Sequence, residues 1–271
     1  MIHDTAFAKI NLALHVRRRR SDGYHELETL FAFVDAGDRL TAQPADGFTL
    51  ALTGPFAGDL AAESDNLVLR AARLLAMRNG ITGGIAFTLD KHLPIASGIG
   101  GGSADAAAAL RLAARLWGDP VVAPGDVAAD LGADVPACVV SQSCFGSGVG
   151  EQLRVLDTDD LRGMPVLLVN PRVACPTGPV FRAWDGIDRG PLDPAQWLEA
   201  RNDLQAPACA LVPEIAAVLD VLATTGARLV RMSGSGATCF ALYGDVPARD
   251  RAAAQVSALR PDWWQLAGAL R

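Results

Sequence analysis

An alternating apolar segment, Ile85, Phe87 and Leu89, leads into Pro94-Ile95-Ala96-Ser97-Gly98-Ile99-Gly100-Gly101-Gly102-Ser103-Ala104 and then into an alanine-rich stretch ending near Trp117. Period-two alternation reads as a strand. The alanine-rich stretch reads as a helix, with Leu110, Ala114 and Trp117 on one stripe and a stop at Gly118-Asp119-Pro120. Four of the five residues at 98–102 are glycine, and each costs about 0.5–1 kcal/mol of ordering relative to alanine. Such a loop suits a main chain that must touch a ligand. The helix it opens offers free N–H groups and about half a positive charge, so loop and helix together form an anion cradle. Ser103 can donate its hydroxyl to a phosphate or offer it to a magnesium ion. The same glycines also read as a flexible turn that merely permits close packing. The loop is neither a GxxxxGK[ST] phosphate loop nor a dinucleotide fingerprint, because Ser103 stands where the third glycine would be.

Near the N-terminus, Ile10, Leu12, Leu14 and Val16 alternate with Lys9, Asn11, Ala13 and His15. This predicts a strand with one buried face, and it places Lys9 and Asn11 together on the other. Arg17, Arg18, Arg19 and Arg20 follow, then Ser21-Asp22-Gly23, whose Asp-Gly step predicts a hairpin with a return strand from Tyr24 and His25 to Val34. Ser64 and Asp65 are expected to cap a helix reaching about Met77. Further on, strands are expected at 165–169, 228–232 and 237–243, with helices at 213–225 and 247–258, and the turn Ser233-Gly234-Ser235-Gly236 between the last two strands. The mixture lacks strict βαβ alternation, so the expected class is α+β.

Half of the 271 residues are apolar and a fifth are charged, as in soluble globular proteins. The length suits one large domain or two modest ones, with a soft division inside 145–163 that gives domains at 1–155 and 156–271. No uncharged apolar stretch reaches a membrane-spanning length, and the first residues lack a secretory pattern. The five cysteines form no CxxC pair and the four histidines no HxxxH, so free thiols in a reducing cytoplasm are expected, with no disulfide framework or zinc site. A net charge of −6 argues against a protein that lives on nucleic-acid backbone.

Asp134, in Leu131-Gly132-Ala133-Asp134-Val135-Pro136, has two readings. It is a helix N-cap with Pro136 in the first turn, or a base beside a phosphate site. Lys9 is either a solvated residue on a strand face or the ammonium partner of that carboxylate, stabilising charge on a transferring phosphoryl group. The Ser233-Gly234-Ser235-Gly236 turn reads equally as a plain hairpin turn, and Gly146-Ser147-Gly148-Val149-Gly150 is a weaker glycine patch.

Taken in order, Ala8-Lys9-Ile10-Asn11-Leu12, Asp22-Gly23-Tyr24-His25-Glu26-Leu27, the glycine loop, the Asp134 segment, Asn202-Asp203-Leu204 and Met232-Ser233-Gly234-Ser235-Gly236-Ala237 resemble the 4-diphosphocytidyl-2-C-methyl-D-erythritol kinase family. That family lies within the galactokinase–homoserine kinase–mevalonate kinase–phosphomevalonate kinase (GHMP) superfamily. The glycine loop is specific only to the superfamily, and the DGYHEL segment narrows it. The resemblance implies a two-domain GHMP fold: an N-terminal domain containing a left-handed βαβ crossover, a C-terminal α/β domain, and the site in the cleft between.

The resemblance also implies ATP- and Mg²⁺-dependent phosphorylation of the 2-hydroxyl of the cytidylyl sugar alcohol, in non-mevalonate isoprenoid synthesis. Asp134 becomes the general base and Lys9 its orienting partner, with Asn11 near the reacting centre. The 94–104 loop holds the triphosphate, with Ser103 the candidate metal contact. Tyr24 stacks on cytosine, His25 reads its edge, and Phe181 covers the opposite face. Asn66 and Lys91 lie where the family approaches adenine and ribose, although helix surface and strand end describe them equally well. Gly234, Ser235 and Gly236 close over substrate or phosphate. The implied enzyme is cytoplasmic, a monomer or weak homodimer, without nucleic-acid or membrane partners. One departure stands out: Ala104 occupies the place where many superfamily members carry a second serine. Little is lost if Ser103 alone meets phosphate or metal, and about one charge-assisted hydrogen bond, roughly 1–3 kcal/mol, if the second hydroxyl is used.

Two rivals remain at this level. Another GHMP kinase, acting on homoserine, mevalonate or a sugar, would not use Tyr24 and His25 as base readers. A nucleic-acid-binding module would use Arg17, Arg18, Arg19 and Arg20 and bind with steep salt dependence. The arginine run also reads as a solvated hairpin end, or as a source of one arginine that approaches substrate phosphate.

Overall fold

A computed structural model describes residues 1–60, 66–118, 121–157 and 159–271. The chain gathers into two compact units. One comprises Met1–Lys9, Gly37–Ile95 and Gly100–Ser141, and the other Ile10–Ala36, Ala96–Ile99 and Gln142–Arg271. Strands β1 (Ile2–Arg19) and β2 (His25–Ala45) contribute to both. They are joined at the expected hairpin, where Gly23 has φ +87° and the Arg20 N–H donates to Tyr24 O at 2.8 Å. Asp22 Oδ1 accepts from the Tyr24 N–H, the side-chain turn that makes Asp-Gly a hairpin signal.

β1 alternates in composition but not in burial. Residues 8–16 are all buried, which corrects the expectation of one covered face. The polar face can be covered because its side chains find partners: Lys9 pairs with Asp134, Asn11 donates to Thr29, and His15 meets Gly190 O.

The first unit adds β3 (Thr49–Thr53), α1 (Ala57–Leu60), α2 (Leu67–Asn79), β4 (Gly84–Asp90), α3 (Gly101–Trp117), α4 (Pro124–Ala128) and α5 (Val135–Val140). The second half of β2 runs antiparallel to β4, with Arg39 opposite Asp90, and β4 runs parallel to β3. The cap of α2 is Asn66, whose Oδ1 accepts from Val68 N at 2.9 Å, while Ser64 and Asp65 lie outside the described residues. α3 buries far more than the expected stripe, including Ala104, Ala106, Ala107, Ala108 and Ala109. Its small side chains let α2 approach closely, so nearly its whole circumference is core. The helix ends at Gly118 with φ +75°, and Asp119 and Pro120 lie outside the described residues.

The second unit adds β5 (Cys144–Ser147), β6 (Gln152–Val155), β7 (Pro165–Asn170), α6 (Thr177–Ala183), α7 (Gln205–Leu211), α8 (Pro213–Ala223), β8 (Leu229–Met232), β9 (Cys239–Leu242), α9 (Val246–Leu259) and β10 (Trp264–Ala269). β5 and β6 form a hairpin whose turn includes Gly148 and Gly150, both at positive φ, so the weaker glycine patch is a turn. A four-stranded antiparallel sheet runs β10-β7-β9-β8. Its core joins Leu167, Val169, Ile215, Val218, Leu222 and Tyr243. The strands and helices expected in this half fall within a few residues of these bounds.

Among the described residues no single helix is long and apolar enough to cross a membrane. Together, α7 and α8 pass that test by length and composition, but they are bent by 120°, and α8 buries Ile215, Val218 and Leu222 in the core.

Candidate active site

In the first unit, β1 brings Lys9 to the N-terminus of α5. Lys9 Nζ lies 2.9 Å from Asp134 Oδ2, with the lysine side chain 3% exposed and the aspartate 39%. Asp134 occupies the N-cap position of α5, but its side chain makes no capping bond. The local motif supplied the position, and a partner 125 residues away took the carboxylate. Arg111, on α3, donates to Cys138 O on α5 at 2.7 Å and pairs with Asp4 at 2.7 Å, tying β1, α3 and α5 around the pair.

α3 begins in the glycine loop. Gly100 is its N-cap with φ +65° and no side chain to cap with, and the first intrahelical bond runs from Ala104 N to Gly100 O. The N–H groups of Gly101, Gly102 and Ser103 precede that bond and have no helical acceptor. A β-carbon at Gly100 would sit 3.0 Å from Lys9 Cε, so glycine there lets the loop close on the lysine. Lys91, immediately after β4, is buried with its ammonium between Asp38 and Asp105. Burial opposes the Lys91 charge, but the facing carboxylates of Asp105 and Asp38 outweigh it and hold its pKa above the ordinary lysine value. Burial also lifts Asp105 above the usual carboxylate range. Sequence reasoning missed Asp38 and Asp105. Asp105 stood in plain view inside GGGSADAA but reads there as an ordinary residue of a helix's first turns. Asn66 is nearly buried as the α2 cap.

In the second unit, Gly98 packs against the Ser233-Gly234-Ser235-Gly236 turn. A β-carbon at Gly98 would fall 2.4 Å from Gly236 O, and Ser233 Oγ donates to Gly98 O at 2.9 Å. The Asn11 N–H donates to Ser233 Oγ at 3.1 Å, and its side-chain amide to Thr29 Oγ1 at 2.8 Å. Asn202 donates to Met232 O and Gly234 O, both at 2.8 Å, and Ser235 Oγ meets Thr177 Oγ1 at 3.0 Å. The turn is therefore built into a hydrogen-bonded network. Thr29 and Thr177 carried no sequence signal.

Also in this unit, Tyr24 is 64% exposed beside His25. The His25 ring lies 5.0 Å from Phe181 at a 39° tilt and 5.8 Å edge-on to Trp184, a residue that sequence reasoning missed. Burial, with Arg19 nearby, pushes the His25 pKa down, and its Nε2 has no hydrogen-bond partner among the described residues. Each arginine of the run has a contact in this unit: Arg17 faces Glu28 and Asp188, Arg18 pairs with Glu26, Arg20 with Asp22, and Arg19 covers Trp184. Among the described residues no group of three or more His, Cys, Asp or Glu side chains could hold a metal ion.

A buried lysine on a half-exposed carboxylate, in one unit with a helix that opens uncapped from glycines, is an arrangement suited to phosphoryl transfer. Family models match accordingly: "GHMP kinases N terminal domain" over residues 66–142 and "GHMP kinases C terminal" over 192–262. A mevalonate kinase from Methanococcus jannaschii shares the fold with a TM-score of 0.71 at 12% identity, covering 100% of this chain and 98% of that one. A crystal structure of a 4-(cytidine 5'-diphospho)-2C-methyl-D-erythritol kinase matches with a TM-score of 0.86 at 36% identity, covering 99% of each chain. The 4-diphosphocytidyl-2-C-methyl-D-erythritol kinase of Novosphingobium aromaticivorans is 57% identical over all of this chain and 93% of its own. The chain belongs to the 4-diphosphocytidyl-2-C-methyl-D-erythritol kinase family of the GHMP kinases, and the α+β class and two-part GHMP fold expected from its sequence hold.

Proposed function

We propose that the chain transfers the γ-phosphoryl group of ATP to the 2-hydroxyl of 4-diphosphocytidyl-2-C-methyl-D-erythritol, a step of non-mevalonate isoprenoid precursor synthesis. The observation that carries this reading is the 2.9 Å contact of Lys9 with Asp134, in the unit that also contains the N-terminus of α3. Asp134 accepts the proton of the attacking hydroxyl. Lys9 orients that carboxylate and offsets charge on the phosphoryl oxygens. The main chain of 94–104 and the first turn of α3 hold the triphosphate. Mg²⁺ favours phosphate oxygens plus one or two protein oxygens, and Ser103, in that first turn, offers a hydroxyl. When bound, the ion neutralises phosphate charge.

Asn11 touches substrate near the reacting hydroxyl. Tyr24 stacks on the cytosine, Phe181 lies against its other face, and His25 reads its edge. Gly234, Ser235 and Gly236 close over substrate, and Asn66 approaches the adenosine. The functional halves are read as 1–155 and 156–271, in a cytoplasmic small-molecule kinase that is a monomer or weak homodimer without nucleic-acid or membrane partners.

ADP release measured across a panel of alcohols tests the reading, with CMP as a competitor. Turnover with the cytidylyl alcohol, inhibited by CMP competitively against that alcohol, is expected. Turnover only with homoserine or mevalonate would sink the assignment. Absence of CMP competition would remove Tyr24 and His25 as base readers.

A further inference from the structure

Of the 24 lysines and arginines, only two are lysines, Lys9 and Lys91, and both are buried. Everywhere else the chain uses arginine for positive charge. Lys9 is accounted for by Asp134. Lys91 contacts two carboxylates that lie far apart in sequence: Asp38 on β2, and Asp105 in α3 at 2.7 Å. Asp38 also accepts, through its other oxygen, the N–H groups of His92 and Leu93, the latter at 2.8 Å. One carboxylate thus fixes the chain as it enters the glycine loop, and the other fixes it as it leaves. The ammonium joins them. A β-carbon on Gly101 would lie 3.2 Å from Lys91 Nζ, so the first turn of α3 sits directly against that charge. A compact ammonium can serve two carboxylates in this space, whereas a planar guanidinium needs room for its fork.

We propose that Lys91 is a positioning residue: through Asp38 and Asp105 it clamps both stems of the 94–100 loop in the geometry that receives nucleotide phosphates, and it does not bind the nucleotide itself. The proposal rests on the kinase reading for what the loop holds, and it replaces the expectation that Lys91 approaches the adenosine. Two of the ammonium's three N–H donors are committed to carboxylates and the side chain is buried, so a nucleotide has little access to it in this arrangement.

The test measures, by calorimetry, binding of a non-hydrolysable ATP analogue with Mg²⁺, and separately of CMP, to the full chain. Asp105→Asn can keep an oxygen on the ammonium and turn its amide to the side where Oδ1 now has no partner among the described residues, so it perturbs the fold least. Lys91→Met removes the clamp outright. Both variants are expected to bind the ATP analogue about tenfold or more weakly, with CMP affinity within about twofold of wild type. Were Lys91 a direct ligand, Asp105→Asn would leave the ammonium in place with one fewer carboxylate charge competing for it, and would hold or raise analogue affinity while Lys91→Met lost it; that pattern overturns the proposal. Equal loss for both nucleotides overturns it too, as a general structural defect.

Should Lys91→Met fail to fold, lysine-selective ¹⁵N labelling of the wild-type chain decides. Of the two ammonium signals, Lys91's is expected to keep its position when the analogue binds, and a large shift contradicts the clamp. A wild-type chain that binds no analogue defeats the kinase reading itself, and the proposal with it. Wild-type binding with unperturbed variants defeats the proposal alone.

Discussion

Asp134→Asn separates chemistry from architecture. The substitution keeps an oxygen able to accept from Lys9 Nζ, now 2.9 Å from Oδ2, but removes the capacity to take a proton. General-base loss is expected to lower kcat by about 10²–10⁴-fold, roughly 2.7–5.4 kcal/mol of transition-state stabilisation at about 1.36 kcal/mol per tenfold. The structural cost is much smaller. Asp134 is 39% exposed, so the pair is screened, and its loss is worth about 1 kcal/mol. In a chain this long that lowers Tm by roughly 2–4 °C. ATP affinity should be unchanged, because the loop amides and the α3 terminus are untouched. The assay is steady-state ADP release with saturating cytidylyl alcohol, alongside calorimetry of the ATP analogue and a thermal melt. Turnover within about threefold of wild type would refute Asp134 as the base. A collapse of Tm or of ATP binding in step with turnover would refute the separation.

Tyr24→Ala should raise the KM for the cytidylyl alcohol more than it lowers kcat, since stacking is made equally in ground and transition states; an unchanged KM in steady-state kinetics rules the stacking out. Gly98→Ala places a β-carbon 2.4 Å from Gly236 O at φ +78°, whereas at Gly80 (φ +63°) a β-carbon meets nothing within 4 Å. By denaturant melts, Gly98→Ala should therefore cost roughly 2 kcal/mol or more, and Gly80→Ala about 1 kcal/mol; equal costs would show that the contact between the Gly98 and Gly236 segments is unimportant. Burial and Arg19 lower the His25 pKa from its ordinary 6.5. Between that value and the lowered one the unfolded chain holds the extra proton, so this group's contribution to stability rises with pH through that window and is lost as pH falls. The KM for the cytidylyl alcohol should accordingly be flat above pH 6.5 and climb only at lower pH in wild type but not in His25→Gln; a climb centred above 6.5 contradicts the lowered pKa.

The legible parts of this chain are those set by near neighbours. Asp-Gly at 22–23 made its turn, alternation marked the strand around 85–89, a continuous apolar run the one at 165–169, and the glycine-to-alanine switch marked the start of α3. Parity put Lys9 and Asn11 on one strand face, but their burial depended on partners at 134 and 29 that no local pattern announces. Asp134 shows the limit most plainly: its spacing from Pro136 gave the N-cap position, the pairing with Lys9 came only as one of two readings and from the resemblance, and the tertiary contact decided between them. Asp38, 53 residues from Lys91, and Trp184, far from His25, were invisible for the same reason. Of the two readings of the glycines, close packing is visible at Gly98 and Gly100, where a β-carbon would crowd Gly236 O and Lys9, and it is compatible with loop amides that hold phosphate.

The most direct measurement is the identity of the product. Incubation with ATP, Mg²⁺ and 4-diphosphocytidyl-2-C-methyl-D-erythritol, followed by ³¹P and ¹³C NMR, should reveal one new phosphomonoester coupled to carbon 2 and one ADP per turnover. ADP formed without that ester, or phosphate found on another hydroxyl, would contradict the account.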